Sequence, residues 1–346
     1  MENLGLETEV VRKFQEGHTY EQLAEEYGVS RGTIWRIIKR HNALKYQELR
    51  VLRAEKEKQR LRVEVLSELT DRLEVMDVLD YLDLLPDESV QLVVTSPPYN
   101  LGKEYEARRH LIYYRGWMEQ VLAEFYRVLK PEGALFLNLG NFVEDGAIVP
   151  LDTVFVSILR ELEFQIRNRI VWIFRHGLHC RNRFSHRHES IIFATKTDDY
   201  YFNLDAVRIP QQYPFKRGYK GANKGKFTCN PLGKNPGDVW DITPVKAGHG
   251  EKFTGSKGVV HPCQFPTEIP RRAILACTRP GDYVLDPFMG SGTTAVVCQE
   301  LERKFLGCDI NTDYIQLAYE RLEQMRGKLV RLAGQRKLEE CLGGSS

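Results

Sequence analysis

The sequence predicts an α/β fold: an open, mostly parallel sheet with helices on both faces, preceded by a small all-α module. Three observations predict it. From residue 72 to about 330, short apolar runs of strand character alternate with helical patterns. Two loop motifs, Ser96-Pro97-Pro98-Tyr99 and Gly290-Ser291-Gly292, each follow such an apolar run. Residues 7–42 carry instead three short helical patterns punctuated by caps and turns, with no strand-like run.

The first of those patterns runs near Glu7–Glu16 and stops at Gly17. The second begins at Thr19, with Gln22 three residues on as a capping box prefers, and ends at Gly28. Ser30 caps the third, whose buried side is expected from Ile34, Trp35, Ile37 and Ile38. Ala24, Gly28 and Ile34 have the spacing of a helix-turn-helix: a small residue where helices cross, a glycine for the turn, a branched residue in the core. The third helix is then the recognition helix. Arg31, Thr33, Arg36, Lys39 and Arg40 are its candidate DNA contacts, in a run to Lys45 without an acid. The alternative use of such a bundle is dimerisation. Residues 43–74 read as a charged helical stretch in which Leu66, Leu69 and Leu73 form a stripe, with 43–71 serving as a linker.

In the α/β part, strands are expected at Val90–Val94, Gly133–Leu139, Arg169–Phe174, Ser190–Thr195, Tyr283–Leu285 and Lys304–Cys308. Helices are expected at Tyr113–Leu129, Leu151–Leu162, Thr267–Cys277, Thr293–Leu301 and Thr312–Met325. Residues 203–260, rich in Gly, Pro, Lys and Asn, interrupt the alternation and read as an insertion of loops and short elements. Residues 331–346 read as a flexible tail.

The chain of 346 residues, 42% hydrophobic, has room for a catalytic domain and one small module. A net charge of +2 says little, but a second acid-free basic run spans Gln165–Arg187. Two such runs suggest two surfaces facing an anion. The seven cysteines form no CxxC pair and no zinc-ligand spacing, so no metal is expected. Neither a signal peptide nor a membrane-length apolar run is present in the sequence, which leads to the expectation of a cytoplasmic, nucleoid-associated protein.

Ser96-Pro97-Pro98-Tyr99 sits at a strand end, where open α/β sheets bind ligands. Its two prolines stiffen the loop and leave carbonyl oxygens without competing N–H groups. Such a loop suits an exocyclic amine, whose lone pair is delocalised into its ring. The Ser96 hydroxyl oxygen and the Pro97 carbonyl can accept the two amine hydrogens, and Tyr99 can stack on an extruded base. Asp286-Pro287-Phe288-Met289-Gly290-Ser291-Gly292-Thr293 opens a helix after a strand, and about twenty residues on the next strand ends in Asp309, placed for ribose hydroxyls. The pattern implies an adenosine-containing cofactor. It also satisfies the dinucleotide fingerprint, but that fingerprint usually opens the first strand of its domain, and the proline loop has no use in hydride transfer.

Together the two motifs resemble the DNA amino-methyltransferases, whose catalytic motif is Asp/Asn/Ser-Pro-Pro-Tyr/Phe/Trp and whose cofactor motif is Phe-x-Gly-x-Gly. Their order here resembles the circularly permuted β group. The resemblance covers about residues 72–326 and implies a Rossmann-like S-adenosylmethionine-dependent sheet. Ser96, Pro97, Pro98 and Tyr99 then form the catalytic loop. Asp77, Phe265, Pro266, Asp286, Phe288, Gly290, Ser291, Gly292, Thr293 and Asp309 contact the cofactor. Arg181, Arg183, His186 and Arg187 belong to a basic loop beside the target base, and residues 203–260 to the target-recognition region. At the position before Asp77, Met76 replaces the family's usual glycine.

Serine at the first catalytic position is what the cytosine-N4 enzymes mostly show, so the resemblance implies N4-methylcytosine in double-stranded DNA. Adenine N6 is the alternative within the class. A further alternative is a DNA-binding regulator with a vestigial enzyme domain, and more distant relatives methylate glutamine or RNA, usually with Asn before the prolines. A homodimer and a companion restriction endonuclease are compatible partners.

Overall fold

The computed structural model describes residues 2–16, 18–40, 63–102, 108–144, 146–175, 177, 179–245, 253–256, 258 and 260–343. The chain divides into two compact units, residues 1–65 and 66–346. Most of the expected 43–71 linker, and His176, lie outside the described residues.

The N-terminal unit holds α1 (Glu2–Gln15), α2 (Tyr20–Glu26) and α3 (31–40). The capping box on α2 forms as its sequence dictates: Gln22 N–H donates to Thr19 Oγ1, and Thr19 N–H to Gln22 Oε1. Gly28 takes the left-handed turn at φ 63°, and Ser30 Oγ accepts the Thr33 N–H at the start of α3. Val10, Leu23, Ile34 and Ile38 close the core. Trp35 does not join it, contrary to the sequence expectation. One step along a helix rotates a side chain by about 100°, so the face that buries Ile34 and Ile38 turns Trp35 outward. It is 48% exposed, with the Lys39 ammonium 4.5 Å over its ring.

The second unit is built on an eight-stranded sheet in the order β1-β10-β9-β2-β3-β7-β6-β8. The strands are β1 (Arg72–Val75), β2 (Val90–Thr95), β3 (Leu129–Leu139), β6 (Gln165–Ile173), β7 (His188–Thr195), β8 (Val239–Asp241), β9 (Tyr283–Asp286) and β10 (Lys304–Asp309). The five from β1 to β3 run parallel, β7 is antiparallel to both β3 and β6, and β8 is parallel to β6. A separate hairpin joins β4 (Asn141–Glu144) and β5 (Ala147–Pro150).

Period-two apolar residues explain the two cores. Leu92, Val94 and Val284 point to one face, under α7 (Glu268–Cys277), α8 (Thr293–Glu300) and α9 (Thr312–Gly343). Val93 and Leu285 point to the other, under α4 (Val78–Leu84), α5 (Leu111–Val128) and α6 (Leu151–Glu161).

Two expectations are corrected. Leu73 belongs to β1, buried beside Gly307 of the neighbouring β10, and is not part of a helical stripe; helix at 63–69 ends at Thr70, and Asp71 turns at φ 58° into the strand. The last helix, expected over Thr312–Met325, runs on to Gly343, because Leu, Arg, Lys, Gln and Glu continue to favour helix until the final glycines. The insertion at 203–260, expected as loops and short elements, places the three-residue strand β8 at the edge of the main sheet.

Candidate active site

Two loops meet where the hydrogen-bonded neighbours β2 and β9 both end. Thr95 closes β2 and Asp286 closes β9, and they are bonded directly: Thr95 Oγ1 donates to Asp286 Oδ1 at 2.6 Å. Thr294 of α8 donates to Asp286 Oδ2 at 2.6 Å, and the Phe288 N–H reaches Oδ1 at 3.3 Å. Asp286 is fully buried, and burial pushes its carboxyl up to about 6 against the pull of these hydrogen bonds. It therefore braces the two loops from behind, and is not among the residues that line the pocket in front of them.

That pocket has a volume of about 720 Å³. Ser96, Pro97, Pro98 and Tyr99 line it together with Phe288, Gly290, Ser291, Thr293, Asp309, Phe265 and Asp77. The Ser96–Tyr99 loop is pinned along its length. Tyr114 hydroxyl donates to the Pro98 carbonyl at 2.6 Å, and Asn100, buried at φ 60°, exchanges two 2.7 Å bonds with the Arg109 backbone. A left-handed asparagine ends the loop because its short side chain satisfies the local backbone.

Asp309 receives the Gly290 N–H at 2.8 Å on one oxygen and the Asn311 N–H at 2.9 Å on the other. Burial raises its carboxyl and these two bonds oppose the rise. Each oxygen keeps a lone-pair site for a further donor. Gly290, at φ 51°, admits close approach: a Cβ there would stand 2.9 Å from His261 Nε2, at the pocket wall. Asp77 caps α4 by accepting the Leu79 N–H at 2.8 Å. Gly292 and Pro266 do not line the pocket. Gly292 is needed for packing: at φ 78°, a Cβ would lie 2.6 Å from Ala318 Cβ of α9. Gly292→Ala is therefore expected to destabilise the fold by about 2–4 kcal/mol, from left-handed strain and overpacking, read as a lower denaturant midpoint.

Sequence reasoning missed the polar cluster beside Ser96. Asn138 at the end of β3 is 4% exposed; its amide donates to Tyr99 Oη at 2.8 Å and to Glu189 Oε2 at 2.7 Å. Tyr99 hydroxyl donates to Glu189 Oε2 at 2.9 Å, and lies 2.8 Å from Ser96 Oγ. The Tyr99 ring rests on Gly140, where a Cβ would come within 2.7 Å of it. Asn138 Oδ1, buried at the pocket wall, has no hydrogen-bond partner among the described residues. Tyr99 is thus fixed by both its ring and its hydroxyl. Trp117, in edge contact with Phe288 and under the Arg109 guanidinium, adds an aromatic wall that the helical pattern concealed.

Of the basic loop, His186 lines the pocket, while Arg181, Arg183 and Arg187 do not. Arg181, Arg183 and the fully exposed Phe184 stand in solvent. Burial and the neighbouring His188 and Arg187 lower the His186 imidazole from its ordinary value. In the N-terminal unit, Arg36, Lys39, Arg31 and Arg40 are exposed on α3, the last two pairing with Glu21 and Glu7 at 2.9 and 3.2 Å. Thr33 Oγ1 lies 2.9 Å from Ser30 Oγ. Among the described residues no group of acidic, histidine or cysteine side chains could hold a metal, and no helix is long and apolar enough to cross a membrane.

Comparison with known proteins places this architecture. A family model described as DNA methylase matches residues 90–320, and a homeodomain-like model matches residues 8–50. Type II methyltransferase M.BglII of Bacillus subtilis is 46% identical over 245 residues, which are 70% of this chain and 66% of that protein. DNA adenine methyltransferase YhdJ of Escherichia coli K12 is 34% identical over 253 residues, 71% of this chain and 81% of YhdJ. Among solved structures, PvuII DNA methyltransferase (cytosine-N4-specific) shares the fold at TM-score 0.59 and 21% identity, over 74% of this chain and 89% of its own. A putative DNA modification methylase of Thermus thermophilus, TTHA0409, solved with S-adenosyl-L-methionine, matches at TM-score 0.52 and 27% identity over 73% of this chain and 93% of its own. With a family model matching residues 90–320, which hold every strand from β2 to β10 and both loops, the chain belongs to the DNA methylase family.

Proposed function

We propose that this chain transfers a methyl group from S-adenosylmethionine to the exocyclic amine of a base flipped out of double-stranded DNA, with cytosine N4 the favoured target. The observation that carries this reading is the pocket shared by the Ser96–Tyr99 loop and the Gly290/Asp309 arm, held at a fixed separation by Asp286. When bound, S-adenosylmethionine supplies an electrophilic methyl. The residues present fit it: Gly290 lines the pocket with backbone alone, Asp309 offers oxygens to ribose hydroxyls, and Phe288 and Phe265 offer apolar contact. Ser96 Oγ and the Pro97 carbonyl accept hydrogens from the amine and turn its lone pair toward the methyl. Removing the base from the stack costs a few kcal/mol, which the pocket's aromatic walls and polar acceptors offset. The chain order, catalytic loop before cofactor loop, supports assignment to the permuted β group.

Cytosine is favoured because serine leads the motif. Adenine N6 is the second reading, favoured by the likeness to YhdJ. Digestion of DNA methylated by the protein to nucleosides, followed by mass spectrometry, separates the two: N6-methyladenine alone overturns the cytosine assignment. The type II names of the relatives support a companion endonuclease sharing the recognition sequence.

The N-terminal unit provides a second DNA contact through α3. Deleting residues 1–42 is expected to weaken DNA binding and to flatten its dependence on salt, since each lost phosphate contact removes about 0.9 from the slope of log K against log salt. S-adenosylmethionine affinity stays unchanged. An unaltered salt slope in filter binding or anisotropy refutes the DNA-contacting role.

A further inference from the structure

Methylating a neutral amine must release one proton, and neither a serine hydroxyl nor a backbone carbonyl is a base that can keep it. We propose that Glu189 is the terminal acceptor of that proton, reached from the target amine through Ser96 and Tyr99. The inference rests on the amine-methylation reading above.

The geometry fixes the direction of the chain. Tyr99 has one hydroxyl hydrogen, and of its two acceptors the charged Glu189 Oε2 at 2.9 Å takes it over the Asn138 carbonyl at 3.5 Å. Toward Ser96, 2.8 Å distant, the same phenol oxygen is therefore the acceptor, and Ser96 is the donor. With its hydrogen committed to Tyr99, Ser96 Oγ turns one lone pair toward the Asn138 amide at 3.4 Å and keeps the other for the pocket, as an amine requires. The reverse polarity would set a phenol lone pair against a carboxylate. Asn138 holds this arrangement in register by donating to both Tyr99 Oη and Glu189 Oε2. Burial, followed by the facing Glu189 charge, pushes the Tyr99 phenol well above its usual value. Tyr99 therefore remains a neutral conduit, not a resting place for the proton. Glu189 itself stands at the start of β7, half-buried and lining the pocket.

The step balances. A bond forms between the amine nitrogen and the methyl carbon as the carbon–sulfur bond breaks, its electron pair leaving with sulfur. The surplus amine proton passes to Ser96 Oγ, the Ser96 proton to Tyr99 Oη, and the Tyr99 proton to Glu189 Oε2, which becomes a neutral carboxylic acid. No other oxidant, base or metal is required.

The test is Glu189→Gln in the full chain. The variant keeps an oxygen to accept from Tyr99 and Asn138 but cannot take a proton. Single-turnover methyl transfer to unmethylated genomic DNA is expected to fall about 100-fold, and the acid limb of its pH–rate profile to vanish. Calorimetric affinity for S-adenosylmethionine and the fluorescence of 2-aminopurine DNA, which reports base flipping, should stay within twofold. Tyr99→Phe should fall similarly, the double variant no further than either single one, and Glu189→Asp should restore the acid limb. A Glu189→Gln variant with the wild-type rate or an intact acid limb overturns the proposal. So does a loss of cofactor affinity or base flipping that matches the loss of rate, because Glu189 then only holds the fold. If Ser96→Ala is inactive while Glu189→Gln is fully active, the relay is wrong and amine methylation stands. If the wild-type protein methylates no base amine, the underlying reading falls.

Discussion

Ser96→Ala is expected to lower methyl transfer by about 10²–10³-fold or more, the usual cost of removing one polar group aimed at a reacting centre. Affinity for S-adenosylmethionine should stay within twofold. The reason lies in the amine. Its lone pair is shared with the ring, and only acceptors placed on both hydrogens draw the nitrogen toward the geometry needed for attack. Alanine removes one acceptor and also cuts the hydroxyl path to Tyr99. The fold should not suffer. The bonds of Ser96 to Tyr99 and Asn138 are lost, but the loop keeps its anchors at Thr95, Pro98 and Asn100, and Ser96 is only half-buried. Single-turnover assays with labelled cofactor, beside calorimetric binding, check this; wild-type turnover in the variant sinks the assignment of Ser96.

The central strands were legible because Val90–Thr95, Tyr283–Asp286 and Lys304–Asp309 are short apolar runs ending in loop residues, a pattern that follows directly from burial on both faces of a parallel sheet. The edges were not. β1 and β8 are four and three residues long, and so brief a run carries no period. Half of the site was hidden for a different reason. Asn138 and Glu189 are 51 residues apart and meet only because β3 and β7 pair antiparallel, Asn138 opposite Ile191 and Leu139 opposite Ser190. Asn138 and Glu189 are diagonal neighbours on one face of that pair. No local pattern reveals such a register, which tertiary packing sets. Asp286 and Gly292 illustrate a third limit. Both belong to a motif that marks a cofactor loop, yet the structure uses one as a brace behind the loop and the other for helix packing. A motif locates a site without dividing labour among its residues.

Asp286→Ala is expected to cost about 10²-fold in methyl transfer while changing stability at neutral pH far less. Removing the carboxylate leaves the Thr95 and Thr294 hydroxyls without their acceptor, at about 1–3 kcal/mol each. It also removes a buried charge whose cost is visible in its titration: a shift from the ordinary 3.8 to about 6 corresponds to about 3 kcal/mol. The two effects largely offset in stability. They do not offset in rate, because Thr95 directly precedes Ser96 and Thr294 lies in α8 beyond the cofactor loop. Once untied, the two arms lose the separation on which attack depends, and a misplacement of about 1 Å costs about 100-fold. The pH dependence identifies the group. Its carboxyl titrates higher in the folded chain than in the unfolded one, so the folded chain holds the proton more tightly. The stability it contributes is complete below about 3.8 and is lost as pH rises through about 6. Between pH 7 and pH 5 the wild-type protein should gain about 1 kcal/mol from this carboxyl alone. Urea denaturation at the two pH values should show that increment shrinking in Asp286→Ala. An increment of the same size in both proteins places the titrating group elsewhere, and wild-type turnover in the variant shows that the two loops hold their spacing without it.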